Sequence, residues 1–511
     1  MPDEREAPPE EIVVIPSDDG DLDPRTPRAK PTLRGAAIVS ARVIAGFVAI
    51  AVAAAVIAAA ALVPLPSIRH GAPSAMITPV PTQQQLTCPG GLLRLSDASG
   101  AGATRVSALG APAVTSGATA GSVSVTPFTQ SDAHTSGSSA APQLVTAAGT
   151  PGASSSPLVA AAQAQSINTE EAFGLAAAAC VAPSSDAWLD GGSTAIGRTT
   201  LVSLSNPSEV DATVTLQIFD EKGPVTSPGM SGIVVRPHGQ RVLSLAGFAP
   251  SVGAPVVHVT STGGQIVAVL QQSTIRGLAP GGVDIVSPQP GPATRTVLTG
   301  ISLEGGAAVD AVLGTRGYED LAPVLRLFVP GSKDLTATVS VIPESSSAKA
   351  NSFPVDVTAG HVTDVPFDDL SDGHYTFVVT TTQPVLAAVR VSTVGSAAVG
   401  SRADFAWTPA GRPLGAVALL ATPLGQASIL HVYNPAPRAA TVTVTAQGAP
   451  ATRHQISAGG AIAIVEPPGS SIRLDGPAGL YAAVTGSTDG GVSAFAVTPA
   501  QAASTPIRVY R

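Results

Sequence analysis

From about residue 155 onward, apolar and polar residues alternate with a period of two in short runs broken by Gly, Pro, Asn and Asp. That pattern predicts half-buried strands separated by turns. Leu204-Ser-Asn-Pro207 runs into Ala212-Thr-Val-Thr-Leu216, and Val432-Tyr-Asn-Pro435 into Ala440-Thr-Val-Thr-Val444. Leu327-Phe-Val-Pro330 leads into Ala337-Thr-Val-Ser-Val341 in the same way, with two extra residues between. Proline ends a strand ladder because it lacks an N–H, and Asn-Pro, with no titratable neighbour, reads as a turn. Gly239, Gly360 and Gly459 supply a further turn after each proline.

Four longer segments repeat: 156–163, 264–271, 383–390 and 490–497. Their corresponding residues Val159, Val267, Leu386 and Ser493 are 108, 119 and 107 positions apart. A period of that size is a whole domain, whereas a propeller blade has about 40 to 50 residues. Strands at this spacing over about 110 residues predict an all-β chain of tandem immunoglobulin-like β-sandwich units. The alternative is a propeller-like closed arrangement. The expected organisation is a disordered acidic tail at 1–38, a transmembrane helix at 39–64, a linker at 65–86, a degenerate first unit at 87–185, and further units at 186–295, 296–410 and 411–511. In the first unit Ser131–Ala153 is rich in small and polar residues and reads partly as loop.

One stretch breaks the alternation. Val43–Val63 is 21 residues without a charge, and as a helix it is about 31 Å long, the hydrocarbon thickness of a bilayer. Ten of its residues are Val, Ile, Leu or Phe and ten are Ala, so insertion gains about 3 to 6 kcal/mol. Arg25, Arg28, Lys30, Arg34 and Arg42 precede it and few basic residues follow. Positive charge stays inside, which puts the amino end in the cytoplasm and the rest outside the cell. A cleaved signal peptide is the competing reading, with Ala72, Ser74 and Ala75 near a processing site; the 42-residue leader and the long apolar core favour an uncleaved anchor. The localisation read from this is a single-pass cell-membrane protein with an extracytoplasmic domain and the bilayer as partner through residues 43–63.

Composition narrows the function. Net charge is −8, which disfavours nucleic acid as a partner. Charged residues are only 12% and hydrophobic residues 44%, which excludes a charge-dense disordered chain. The only cysteines, Cys88 and Cys180, lie on the expected exported side and have each other as the one intramolecular partner.

Catalytic motifs are missing. The eight histidines show no HExxH or HxH spacing, and no GxSxG elbow occurs. Asp18, Asp19, Asp21 and Asp23 lack the twelfth-position Glu of a calcium loop. His361 and His374 flank Asp364, Asp368, Asp369 and Asp372, the densest titratable cluster; a hairpin turning at Asp372-Gly373 competes there with a metal site. No cofactor, metal or catalytic residue is expected.

Cys88-Pro-Gly90, Ala179-Cys180, Asp186-Ala-Trp188-Leu-Asp-Gly191-Gly192-Ser-Thr194-Ala-Ile-Gly197-Arg198 and Asp404-Phe-Ala-Trp407-Thr-Pro409 together resemble an actinobacterial family of membrane-anchored exported proteins known only as a domain of unknown function. The resemblance covers about residues 85–510 and implies an envelope protein; family members often lie near glycosyltransferase and sugar-phosphate mutase genes. It transfers no catalytic residues. Read from the residues, Trp188 is a sandwich-closing side chain or a sugar platform, and Arg198 a surface ion pair or a bidentate carboxylate contact. The expected function is a non-enzymatic binding or scaffold protein of the cell envelope, with an envelope protein or cell-wall glycan as partner. The alternative is an enzyme acting on envelope polysaccharide through two carboxylates.

Overall fold

The structure, a computed structural model, describes residues 33–62, 74–77, 83–95, 106–134, 140–149, 156–277, 279–344, 350–367, 370–398, 400–499 and 507–510. The acidic leader at 1–32 and most of the linker expected at 65–86 lie outside these residues. The chain divides into two compact units, residues 1–75 with 509–511 and residues 76–508.

The first unit contains a 30-residue helix, Leu33–Leu62. Its side chains are described over 43–59, where all are exposed, including Phe47 and Ile57. Among the described residues no helix is long and apolar enough to cross a membrane.

The second unit is almost entirely β, in many small and mostly antiparallel sheets. They form four successive modules. In the second module one sheet runs Asp186–Asp190, Val256–Gly263, Ala212–Asp220, Gly223–Val225, with Ile233–Val235 also on Ala212–Asp220. The other runs Ala279–Val286, Val267–Arg276, Arg198–Asn206, Gly239–Ser244. Residues of Ala212–Asp220 alternate between buried and exposed, and Val214, Leu216 and Ile218 meet Val202 and Leu204 of the opposite sheet in one core. The fourth module repeats this order, with Val417–Ala421, Ser471–Asp475, Ala440–Ala446, Thr452–Ile456 facing Gly491–Ala496, Tyr481–Thr488, Ala427–Tyr433, Ala461–Glu466. In the third, a 22-residue strand, Gly373–Val394, passes from one sheet into the other and joins them.

Register corrects the expected immunoglobulin-like order. In that order the first two strands share a sheet; here the opening strand Asp186–Asp190 pairs with Val256–Gly263, and the second strand, Arg198–Asn206, lies in the opposite sheet. Period-two patterning sets which face of a strand is buried but is silent on its neighbour. The fourth repeat segment is also displaced by one strand. Residues 490–497 form Gly491–Ala496, the counterpart of Ala279–Val286, whereas the counterpart of Val267–Arg276 is Tyr481–Thr488. In the same way the left-handed turn residue matching Gly360 (φ 77°) and Gly459 (φ 65°) is His238 (φ 49°), one position before Gly239. The expected hairpin at Asp372-Gly373 is absent too: Val362–Pro366 and Gly373–Val394 do not pair with each other.

The Asn-Pro turns are knots. Asn206 donates to the Val210 and Val235 carbonyls at 2.8 and 2.9 Å. Asn434 does the same at Arg438 and Ser457, at 2.8 and 3.0 Å. Both asparagines are buried, and each amide satisfies two backbone carbonyls, one of them in the turn that follows it.

The modules close into a ring. The last strand of each, Phe173–Ala179, Ala279–Val286, Ala403–Pro409 and Gly491–Ala496, packs against its two neighbours around a common axis. The ring closes where Val417–Ala421 meets Val159–Asn168 and Ala113–Ala118 of the first module. The second unit is thus a closed ring of small, mostly antiparallel sheets. The first module is the thinnest, with three strands per main sheet, and the Cys88–Cys180 disulfide ties its two sheets together.

Candidate functional site

The four axial strands carry Gly174, Gly282, Asp404 and Gly491 at equivalent positions, each followed by an apolar residue. Three glycines leave a void at the axis, and the one side chain, Asp404, fills it. A Cβ on Gly282 would lie 2.6 Å from Asp404 Oδ1. Asp404 Oδ2 accepts the backbone N–H groups of Leu175 at 2.8 Å and Val492 at 2.9 Å, and Oδ1 accepts that of Val283 at 3.0 Å. One carboxylate thus gathers a donor from each of the other three modules. It is fully buried, and burial raises its pKa to about 7 against the pull of those N–H groups.

Further polar groups join neighbouring strands along the axis. Asp284 Oδ2 accepts the Trp407 N–H at 2.7 Å, and burial raises this carboxyl well above its usual range. Gln289 Oε1 accepts the Ala410 N–H at 2.8 Å. Trp407 Nε1 donates to Gln272 at 2.9 Å, and the Arg326 guanidinium lies 4.5 Å from the centre of its ring. Arg326 donates to both Asp364 oxygens at 2.7 and 2.9 Å and to the carbonyls of Gly192, Pro255 and Gly253. Burial opposes its charge, yet Asp364, through charge and hydrogen bonds, holds its pKa above the usual value. Nearby, burial lifts Asp190 to about 7 although Arg326 pulls it down.

The axial strands all end at one mouth. There a depression of about 100 Å³ is lined by Ala160, Val181, Ser184, Asp186, Gln289, Leu420 and Arg412. A smaller adjoining space of about 10 Å³ takes residues from all four modules: Val181, Pro288, Ala410 and Thr498.

This geometry sits within a recognised family. The family described as "Family of unknown function (DUF5719)" matches residues 129–468, more than half of the sequence. The chain belongs to the DUF5719 family. No curated protein matches it. Among solved structures, one titled "Biofilm associated protein - BSP domain" is similar at 8% identity with a TM-score of 0.10, covering 85% of this chain and 99% of that chain. A likeness of that size carries no argument.

In this DUF5719 chain the residues singled out from sequence fall in separate places. Trp188 is buried and stacks on His258 with centroids 3.9 Å apart, beside Phe219 and Phe328 at the seam between the second and third modules. His258 in turn meets Asp186 at 2.8 Å and Gln217 at 3.0 Å. Arg198 bonds Asp320 at 2.8 Å, a carboxylate of the chain itself. The His361–His374 cluster is dispersed. His361 faces the Glu221 carbonyl at 3.1 Å, Asp364 holds Arg326, Asp372 caps Gly305 and Gly306, and His374 meets Ser302 at 2.7 Å. Asp368 and Asp369 lie outside the described residues, among which no group of three or more His, Cys, Asp or Glu is placed to hold a metal ion.

Sequence reasoning missed a buried line of groups between the third and fourth modules. Glu344 Oε2 lies 2.5 Å from His431 Nδ1, and His431 Nε2 lies 2.7 Å from Thr485 Oγ1. The order carboxylate, imidazole, hydroxyl is that of a nucleophile triad. Both the Glu344 and His431 side chains are 0% exposed, and the adjoining space is about 10 Å³, room for about one water. Here the line works as a clasp. It was invisible in sequence because its members are 87 and 54 positions apart. Asp404 had a readable signal, as the one non-glycine at a position where the other modules place glycine.

Proposed function

We propose that this chain is a non-enzymatic binding or scaffold protein of an actinobacterial cell envelope. It is held by residues 43–63 in the membrane, with its amino end cytoplasmic and its β ring outside. The observation that carries the reading is the closed ring with one mouth to which all four modules contribute. The strongly perturbed carboxyls Asp190, Asp284 and Asp404 are buried between modules and bonded to the chain, an arrangement suited to rigidity. The bare apolar surface of the helix over 43–59 suits a bilayer, and the disulfide suits an oxidising compartment. The partner is an envelope protein or a cell-wall glycan that meets the mouth around Arg412; nucleic acid is not expected.

Two measurements test this. After carbonate extraction the full chain stays with the membrane pellet and a carboxy-terminal tag is accessible from outside intact cells; a carbonate-soluble chain overturns the anchor. Crosslinking in cells followed by detergent solubilisation enriches a defined envelope protein or glycan, and Arg412→Glu abolishes that enrichment. Equal recovery with Arg412→Glu removes the mouth as the contact.

A further inference from the structure

The seam between the second and third modules carries a surplus of positive charge. The third module carries an α-helix, Gly306–Leu313, followed by the turn Glu319–Leu321, and the turn delivers Asp320 to the seam. Arg198 Nη2 lies 2.8 Å from one Asp320 oxygen and Arg276 Nη2 lies 2.9 Å from the other. Arg390 donates to the Asp320 backbone carbonyl, and to that of Ala322 at 3.4 Å. Two guanidiniums thus pair with one carboxylate, and a third sits on the backbone of the same turn.

Their hydrogen bonds do not close. The Arg276 side chain is 6% exposed, and its Nε and Nη1 have no hydrogen-bond partner; the buried Nε of half-buried Arg390 has none either, nor has Asp320 Oδ1 beyond its ion pair with Arg198. A buried charged donor left unpaired costs more than a neutral one. Other nearby carboxylates are engaged: Asp364 holds Arg326, and Glu319 accepts the Gly317 N–H at 2.8 Å. Tyr318 fixes Arg276 from one side, 5.4 Å from ring centre to guanidinium. Arg198, 17% exposed and steadied by the Ile196 carbonyl at 2.9 Å, opens the cluster to solvent. Burial lowers the Arg390 pKa to about 10 although Asp320 opposes it.

We propose that Arg198, Arg276 and Arg390 form a binding site for an oxyanion, the carboxylate or phosphate group of an acidic ligand. The ligand oxygens take the unpartnered N–H groups of Arg276 and Arg390, with Arg198 as the entry contact and Asp320 holding the arginines apart when no ligand is bound. Planar guanidiniums suit such groups because each offers parallel donors. The assignment goes beyond the envelope reading and does not depend on the anchor or the mouth.

The experiment uses the full chain in detergent, titrated calorimetrically with inorganic phosphate and, separately, with acetate, at ionic strength held constant with sodium chloride. One saturable site per chain is expected for at least one anion, together with a thermal midpoint that rises with its concentration. Saturation by phosphate alone assigns a phosphate group, and saturation by acetate alone a carboxylate. Arg198→Gln weakens that binding at least tenfold, and Arg453→Gln, at an exposed position of Thr452–Ile456, leaves it unchanged. If Arg198→Gln does not fold, Arg198→Lys, which keeps the charge but not the fork, reports the same loss in smaller degree. Absence of a saturable site for both anions, or wild-type binding by the folded Arg198 variant, overturns the proposal.

Discussion

Replacing Asp404 by Ala tests the axis most directly. The carboxylate accepts N–H groups from Leu175, Val283 and Val492 at 2.8, 3.0 and 2.9 Å, all at buried positions. Orphaning three buried donors at about 1 to 3 kcal/mol each gives about 3 to 9 kcal/mol. Relief of the buried charge offsets part of this, so a loss of about 3 to 5 kcal/mol is expected. Asp404→Asn is expected to lose nearly as much, because its amide turns a donor toward donors. The sign of the pH effect follows from the raised pKa, about 7 against an ordinary 3.8. Below about pH 4 the group is protonated in both folded and unfolded chains; as pH rises to about 7 the unfolded chain ionises first and stability falls, by up to about 4 kcal/mol in all. Denaturant unfolding of wild type and Asp404→Asn between pH 4 and 8 measures both quantities. Variants within about 1 kcal/mol of wild type, or a pH slope unchanged by Asp404→Asn, refute the account of the axis.

Other outcomes follow from the same geometry. Cys180→Ser opens a bridge spanning 92 positions, and unfolding midpoints are expected to fall by the equivalent of about 4 to 5 kcal/mol, reproduced in wild type by reductant. Gly282→Ala brings a methyl to 2.6 Å from both Asp404 Oδ1 and Phe405 Cδ1 and is expected to cost about 1 to 3 kcal/mol by crowding; Asp404→Gly in the same chain relieves only the part due to the carboxylate, which a double-mutant cycle detects. Arg326→Leu strands Asp364 and three carbonyls at the seam and is expected to cost about 3 to 5 kcal/mol, read as a lower urea midpoint.

Much was legible in one dimension. Alternation in Ala212–Leu216 and Ala440–Val444 marked strands with one wet face, because side chains on a strand point to opposite sides. The Asn-Pro segments marked bends and two lone cysteines gave a single possible bridge, whereas the repeat spacing aligned segments that in the last copy fall on a non-equivalent strand. These are local or self-comparing signals, carried by neighbours in the chain. Pairing is not local. Whether Asp186–Asp190 lies beside its successor or beside Val256–Gly263 depends on contacts across 60 or more residues, and the same pattern satisfies both. The ring, its axial carboxylate, the Arg198–Asp320 cluster and the Glu344–His431–Thr485 clasp exist only once the four modules close on one another, because each draws groups from different modules into space that no single module encloses.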